Sequence, residues 1–277
     1  MSLEVMLRLG AAAVLFAAFA GWELAAPRRR LSVGRARRWP GNLGIWIVDA
    51  ALVRILIPTA AVGAALYAAG EGIGLFHWLQ LRLSVAFVLG FLALDLIIWA
   101  QHVAFHKIPW LWRLHRMHHA DLDFDVTTGV RFHPFEILIS LLIKIAAILA
   151  LGIPPVAVIA FEVVLNATSM FNHTNARMPS WLDRALRLVV VTPDMHRVHH
   201  SIVRHETDSN FGFNLPWWDW LFGTYRREPE AGHDGMTIGI PQFRDPAELR
   251  LDRLLTQPFR NDGNVEAEST QPPSTRR

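Results

Sequence analysis

FEILISLLIKIAAILALGIPPVAVIAFEVVLNATSM, residues 135–170, holds two apolar runs joined at the pair Pro154 and Pro155. Proline lacks an amide donor and locks φ, so two in succession stop one helix and open the next. The stretch therefore reads as a tight hairpin of two helices. Each arm, 135–152 and 156–170, is short for a full crossing of a hydrocarbon core that takes about 20 residues, which suits a shallow or tilted hairpin. Depth does not alter parity. The chain goes in and comes back, so the segments on either side of the hairpin share one membrane face.

Working outward, the rest of the chain supports a membrane setting. Its 277 residues are 52% hydrophobic, too oily for an ordinary soluble domain. Residues 3–26 are of spanning length and lack the basic start of a cleaved signal. They run into PRRRLSVGRARR, 27–38, whose six arginines make a stop-transfer cluster that the positive-inside rule puts in the cytoplasm. Residues 43–69 return across the bilayer, 71–82 are a polar pause, and 83–101 form a third span that ends at Gln101 and His102 on the cytoplasmic side. The expected fold is an all-α integral membrane protein of four to five transmembrane or hairpin helices with a cytoplasmic helical cap, its C-terminus on the same side. The chain divides into three regions: 1–82, N-terminal helices and basic loop; 83–227, the part that carries the chemistry; 228–277, a polar tail, disordered from about 262 on composition. The net charge of +3 is modest and the arginines sit beside apolar segments, so headgroups are expected rather than nucleic acid. The absence of cysteine excludes disulfides, thiolate nucleophiles, Cys-ligated zinc and iron–sulfur clusters.

Ten of the thirteen histidines fall between positions 102 and 200, and parity puts all ten on one face. HVAFH (102–106) sets two at i and i+4; HRMHH (115–119) and HRVHH (196–200) each set three at i, i+3 and i+4. On helices every such group projects its rings from one side. Neutral imidazole is the commonest ligand for zinc, iron, copper and nickel. One HxxxH at the end of a span is more often interfacial than a ligand, but two HxxHH boxes and an HxxxH sharing a side outweigh that reading. A single ion needs three or four protein ligands, so eight or more converging histidines imply more than one ion. His77, on the opposite side, and His205 and His233, in polar context, read as surface or structural.

Two polar stripes run along the spans. Asp95, Trp99, His102 and His106 follow one helix face; Glu162, Asn166, Ser169 and His173 follow another. Intramembrane carboxylates are costly and mark function or pairing. Asp95, Trp99, Glu162 and Asn166 are accordingly substrate-channel candidates, while Lys144 and Glu162, at equal depth on the two hairpin arms, are expected to pair. Metal-bound histidines donate their second nitrogen to an acceptor. Asp121, Glu136, Asp194, Asp208 and Asn210 are available for that role, and each reads equally as a helix cap or loop residue, Asp194 being placed to cap the helix of HRVHH. The tryptophans of 108–117 and 216–223 read most simply as an interfacial belt.

The order HxxxH, HxxHH, HxxHH, with RFHPFE (131–136), FNHTN (171–175) and HETDSNFGFNLPWWDWLFGTYR (205–226), resembles the fatty acid hydroxylase superfamily, also called the sterol desaturase family, over roughly residues 85–227. The resemblance implies a membrane-bound non-haem di-iron oxygenase that uses O2 to hydroxylate or desaturate a lipid. The family's ligands fall on His102, His106, His115, His118, His119, His196, His199 and His200, with His173 as a ninth; His133, followed by proline, is either a tenth or a brace. No cytochrome b5 module is fused to the chain, so electrons are expected from a separate protein of cytochrome b5, ferredoxin or rubredoxin type. The alternative class is a non-redox metal protein. A zinc hydrolase would want a string such as HExxH, which is absent, and a metal-handling transporter would want ligands at mid-membrane depth.

Overall fold

The two apolar runs around Pro154 and Pro155 form antiparallel helices in the computed structural model, which describes residues 3–57 and 59–261 of the chain. The helices among these residues are α1 (Leu3–Ala25), α2 (Arg35–Leu56), α3 (Ala60–Glu71), α4 (Leu75–Trp78), α5 (Leu83–Lys107), α6 (Pro109–His119), the hairpin pair α7 (Pro134–Leu151) and α8 (Pro155–Asn172), then the short α9 (Ser180–Leu186), α10 (Pro193–His199), α11 (Arg204–Thr207), α12 (Trp217–Leu221), α13 (Gly232–Gly235) and α14 (Leu251–Thr256). The described residues form no strand, only two isolated bridges.

Among the described residues, four helical stretches are long and apolar enough to cross a membrane: Arg35–Trp78, Leu83–Lys107, Pro134–Leu151 and Pro155–Asn172. The first is interrupted. Ile57 leaves helical conformation with φ −136° and ψ 72°, as the residue before a proline does when the pyrrolidine ring crowds it, so the expected 43–69 span is divided between α2 and α3. Leu94 and Ile98 of α5, Leu141 and Ile148 of α7, Phe161 of α8 and Ala61 and Ala65 of α3 form one buried core. The small alanines let α3 approach closely. Outward, Ile55, Leu66, Leu83, Leu142 and Val163 are exposed, as lipid-facing side chains are. At the hairpin turn Gly152 takes φ 70°, and its backbone packs against Gly74 so tightly that a Cβ on Gly152 would lie 2.6 Å from the Ile73 carbonyl oxygen.

The N-terminal helices are bolted to the polar cap. Arg38, fully buried on α2, donates to Asp121 at 2.7 and 2.8 Å and to Asp125 at 2.5 Å. Burial raises the Asp121 carboxyl, but the Arg38 and Arg131 guanidiniums prevail and hold it well below the usual carboxylate range. Asn42 donates to Asp121 and Thr127 and accepts from Arg131. Glu23, at the end of α1, accepts the amides of Val126 and Asn175, both at 2.7 Å. The 27–38 arginines thus serve the protein as well as its surroundings: Arg28 pairs with Asp194 at 3.4 Å and Asp234 at 2.8 Å.

Residues 228–261, expected as the start of a polar tail, pack back on the cap. Leu254 joins Ile45 and Met117 in a buried cluster, and the Arg113 guanidinium donates to the Pro258 carbonyl at 2.7 Å. The disorder expected from about 262 lies outside the described residues.

Candidate metal centre

Four segments deliver the histidines. The last turns of α5 carry His102 and His106. The chain turns at Ile108, and Pro109 at the first position of α6 restarts the helix that carries His115, His118 and His119. His173 caps the C-terminus of α8. The α10 helix opens on Pro193, with the Thr192 hydroxyl accepting the Met195 amide, and carries His196 and His199 to the capping His200. All nine side chains are buried. Their ring nitrogens fall into two groups, His102, His106, His115, His119 and His199 in one, and His118, His173, His196 and His200 in the other; within each group the atoms lie within 4.8 Å of one another. The groups adjoin, the His119 and His200 rings stacking at 4.5 Å.

Hydrogen bonds fix which nitrogen points inward. Nδ1 of His102 faces the Phe211 carbonyl at 2.7 Å, that of His118 the Arg131 carbonyl at 3.0 Å, that of His173 the Ser169 carbonyl at 2.7 Å and that of His199 the Ser209 carbonyl at 2.7 Å. Nδ1 of His115 faces Glu136 Oε1 at 2.6 Å. A carbonyl oxygen can only accept, so Nδ1 donates and, in a neutral ring, Nε2 is left with a lone pair. Six of the rings are held neutral: burial above all, then neighbouring imidazoles, pushes His118, His119, His196 and His200 well below the ordinary histidine range, and burial pushes His173 and His199 down to about 3. Yet Nε2 of His102 lies 3.0 Å from Nε2 of His115, and Nε2 of His118 lies 3.2 Å from Nε2 of His173. In the His118–His173 pair, lone pair is aimed at lone pair. A shared cation resolves the repulsion, and ligand nitrogens about 2.1 Å from one ion stand about 3.0 to 3.4 Å apart. The buried Nε2 of His199 also lacks any hydrogen-bond partner. The residues fit a metal pair.

A cavity of about 730 Å³ ends at this cluster. Gln101, His102, His115, Glu136 and Ser140 border its inner end; Arg54, Lys144, Glu162 and Asn166 line it farther out, where the exposed Leu66 takes it to the outer face of α3. Lys144 Nζ stands 3.6 Å from Glu162 Oε1, the pair expected across the hairpin.

A family model described as fatty acid hydroxylase matches residues 87–224, the segment that holds all nine histidines. The chain belongs to the fatty acid hydroxylase superfamily. Among its relatives, the ornithine lipid hydroxylase OlsE of Rhizobium tropici is 29% identical over 193 residues, which are 70% of this chain and 56% of that protein. The alkylglycerol monooxygenase of Homo sapiens is 32% identical over 170 residues, 60% of this chain and 36% of that one. The cholesterol 25-hydroxylase of Rattus norvegicus is 27% identical over 141 residues, 50% and 46% of the two chains. The chain thus spans about half or less of the length of these relatives, and no solved structure matches it.

Within this fatty acid hydroxylase segment, the remaining expected site residues take varied places. His133 lies outside both histidine groups: it caps α7, its Nδ1 accepting the Phe135 amide and its Nε2 donating to the Leu255 carbonyl. Glu136 meets His115, and Asp208 Oδ1 faces His106 Nδ1 at 3.4 Å while its other oxygen holds Lys107 and Arg204. Asp121 meets no histidine; it is taken by Arg38. Asp194 holds Arg28 and Arg197, and the cap it was expected to provide comes from Thr192. Asn210 ties the Met195 and Arg226 backbones together and so seats the loop whose carbonyls meet His102 and His199. Glu162 and Asn166 line the cavity; Asp95 and Trp99 do not. Asp95 accepts from Trp218 at 2.7 Å, and Trp99 donates to Asp219 at 3.0 Å and stacks on Phe222 at 4.6 Å, because α12 covers that face of α5. The acceptors that reading side chains missed are four backbone carbonyls, of Arg131, Ser169, Ser209 and Phe211. A carbonyl leaves no mark in sequence. Asp219, whose carboxylate takes the amides of Phe211 and Gly212, had only its place in PWWDWLFG to signal it.

Proposed function

We propose that this protein is a membrane-bound non-haem di-iron oxygenase that hydroxylates a lipid, with desaturation as the neighbouring outcome of the same hydrogen abstraction. One observation carries the reading: nine buried histidines gather their ring nitrogens into two adjoining groups, and two of them, His102 and His115, line a cavity that runs to the exposed Leu66 of α3. The relatives' names, which speak of ornithine lipid, alkylglycerol, cholesterol and fatty acid, support a hydrophobic substrate. Residues 83–227 are read as the catalytic domain and the cap as cytoplasmic.

Two iron ions, when bound, supply the activation of O2 for insertion into a C–H bond, one oxygen atom going to the lipid and the other leaving as water at the expense of two electrons and two protons. His102, His106, His115, His119 and His199 would hold one ion, and His118, His173, His196 and His200 the other. The chain's own contribution is positioning and exclusion. The carbonyls of Arg131, Ser169, Ser209 and Phe211 and the carboxylate of Glu136 fix the rings and raise their basicity. Phe132 stacks on His118 at 4.5 Å and Phe211 packs on His102, keeping water from the cluster. The electrons come from a separate donor protein.

Lipid profiles of cells with and without the gene test the reading. A species heavier by one oxygen, or lighter by two hydrogens, is expected only with the active gene and not with His118→Ala. Its persistence with that variant would count against the proposal.

A further inference from the structure

Two carboxylates in the cavity are more deeply buried than their hydrogen bonding explains. Asp49, on α2, and Glu136, on α7, are each 5% exposed and both line the cavity, Glu136 against His115. Asp49 Oδ1 and Glu136 Oε2 have no hydrogen-bond donor, although the other Glu136 oxygen is committed to His115. The helices that carry them, α2 and α7, pack against one another. Gln101, which also lines the cavity and whose amide nitrogen donates to Ser140 at 2.8 Å, carries a third buried oxygen without a donor.

We propose that this end of the cavity receives the ammonium group of an amine-bearing lipid, held by Asp49, Glu136 and Gln101. Carboxylate and amide oxygens without a donor can each accept one, and an ammonium brings three donors together with a positive charge that favours the ionised carboxylate beside it. A hydroxyl brings one donor and no charge. A carboxylate or phosphate brings repulsion. The cavity's basic side chains stand farther out: Lys144 lies about 12 Å along α7 from Glu136 and faces Glu162, and Arg54 lies about 7.5 Å along α2 from Asp49. Anchoring the ammonium beside His102 and His115 keeps the head end of the lipid at the histidines and lets its chains trail toward Leu66.

The inference rests on the oxygenase reading for its consequence but is tested without turnover. Dodecylamine, N-acetyldodecylamine, dodecanol and dodecanoate are titrated into the purified, metal-loaded full chain in one detergent, and into Asp49→Asn and Asp49→Glu. Dodecylamine is expected to bind about tenfold or more tightly than the other three, as charge-assisted hydrogen bonds require. That preference should vanish in Asp49→Asn and survive in Asp49→Glu. Equal or tighter binding of dodecanol would overturn the proposal in favour of a hydroxyl-bearing occupant. An amine preference that persists in Asp49→Asn would overturn it too, since the amine would then be held elsewhere, as on the metal. The wild-type ranking stands by itself if a variant fails to fold. Amine preference without any lipid product would sink the oxygenase reading alone; lipid product without amine preference would sink this inference alone.

Discussion

His200 presents its Nε2 to His173 at 3.2 Å within the four-histidine group and belongs to no contact that the five-histidine group needs for its own nitrogens. His200→Ala is therefore expected to weaken the ion of the four-histidine group about tenfold or more, so that a chelator strips about one iron per chain under conditions in which the unsubstituted protein keeps both. Metal analysis after the chelator wash reads this directly, and a variant that keeps about two ions as firmly as the unsubstituted protein would contradict the division into groups. The ligands themselves were legible because i, i+3, i+4 spacing has one geometric meaning on a helix. Their orientation was not. It depends on backbone carbonyls and on loops, such as the one seated by Asn210, that meet the rings only after the chain has folded. Asp95 shows the same limit: nothing local to it announces that Trp218, far along the chain, supplies its donor.

Among the helices, α2 is held to the cap by one fully buried arginine. Arg38 meets two carboxylates with no access to water, so Arg38→Met leaves buried negative charge behind and should cost about 3–5 kcal/mol, measured by denaturant unfolding in detergent. A loss no larger than that of an exposed arginine such as Arg250 would show the contact to be ornamental. The hairpin turn offers a second test. Gly152→Val adds a side chain at φ 70° against the Ile73 carbonyl, and about 2 kcal/mol or more of destabilisation is expected. Gly70→Val, where a Cβ meets nothing within 4 Å, should cost about 0.5 kcal/mol at most. The hairpin could be read in advance because prolines and apolar runs are local signals. The division of α2 from α3 escaped a reading by hydropathy, which one proline hardly changes. The Arg38 bolt escaped because a basic cluster beside a span has an ordinary explanation at the headgroups.

For the protein as a unit, the buried imidazoles couple folding to protons. A histidine titrates near 6.5 in the unfolded chain, whereas His173 and His199 fall to about 3 in the fold. Between those values the unfolded chain binds protons that the folded, chelator-treated chain does not. Stability is therefore complete above about 6.5 and is lost as pH falls toward about 3. Tryptophan fluorescence during acid titration should show the chelated protein unfolding at higher pH than the iron-loaded one, because bound metal competes with the protons; coincident midpoints would speak against metal on these rings. The all-helical membrane fold followed from composition and parity. The return of residues 228–261 onto the cap did not, since Ile238, Ile240 and Leu254 are scattered among polar neighbours and find their apolar partners only in space.

The cavity has two sources. Its histidine floor belongs to residues 87–224, but Asp49, Arg54 and Leu66 of its wall lie before that segment, on α2 and α3. The histidines thus come from one length of chain, whereas the wall is shared between that length, through Gln101, Glu136 and Glu162, and the two helices before it. A graft of residues 35–71 from a relative should carry that relative's preference into this protein while leaving the histidines and their metal untouched.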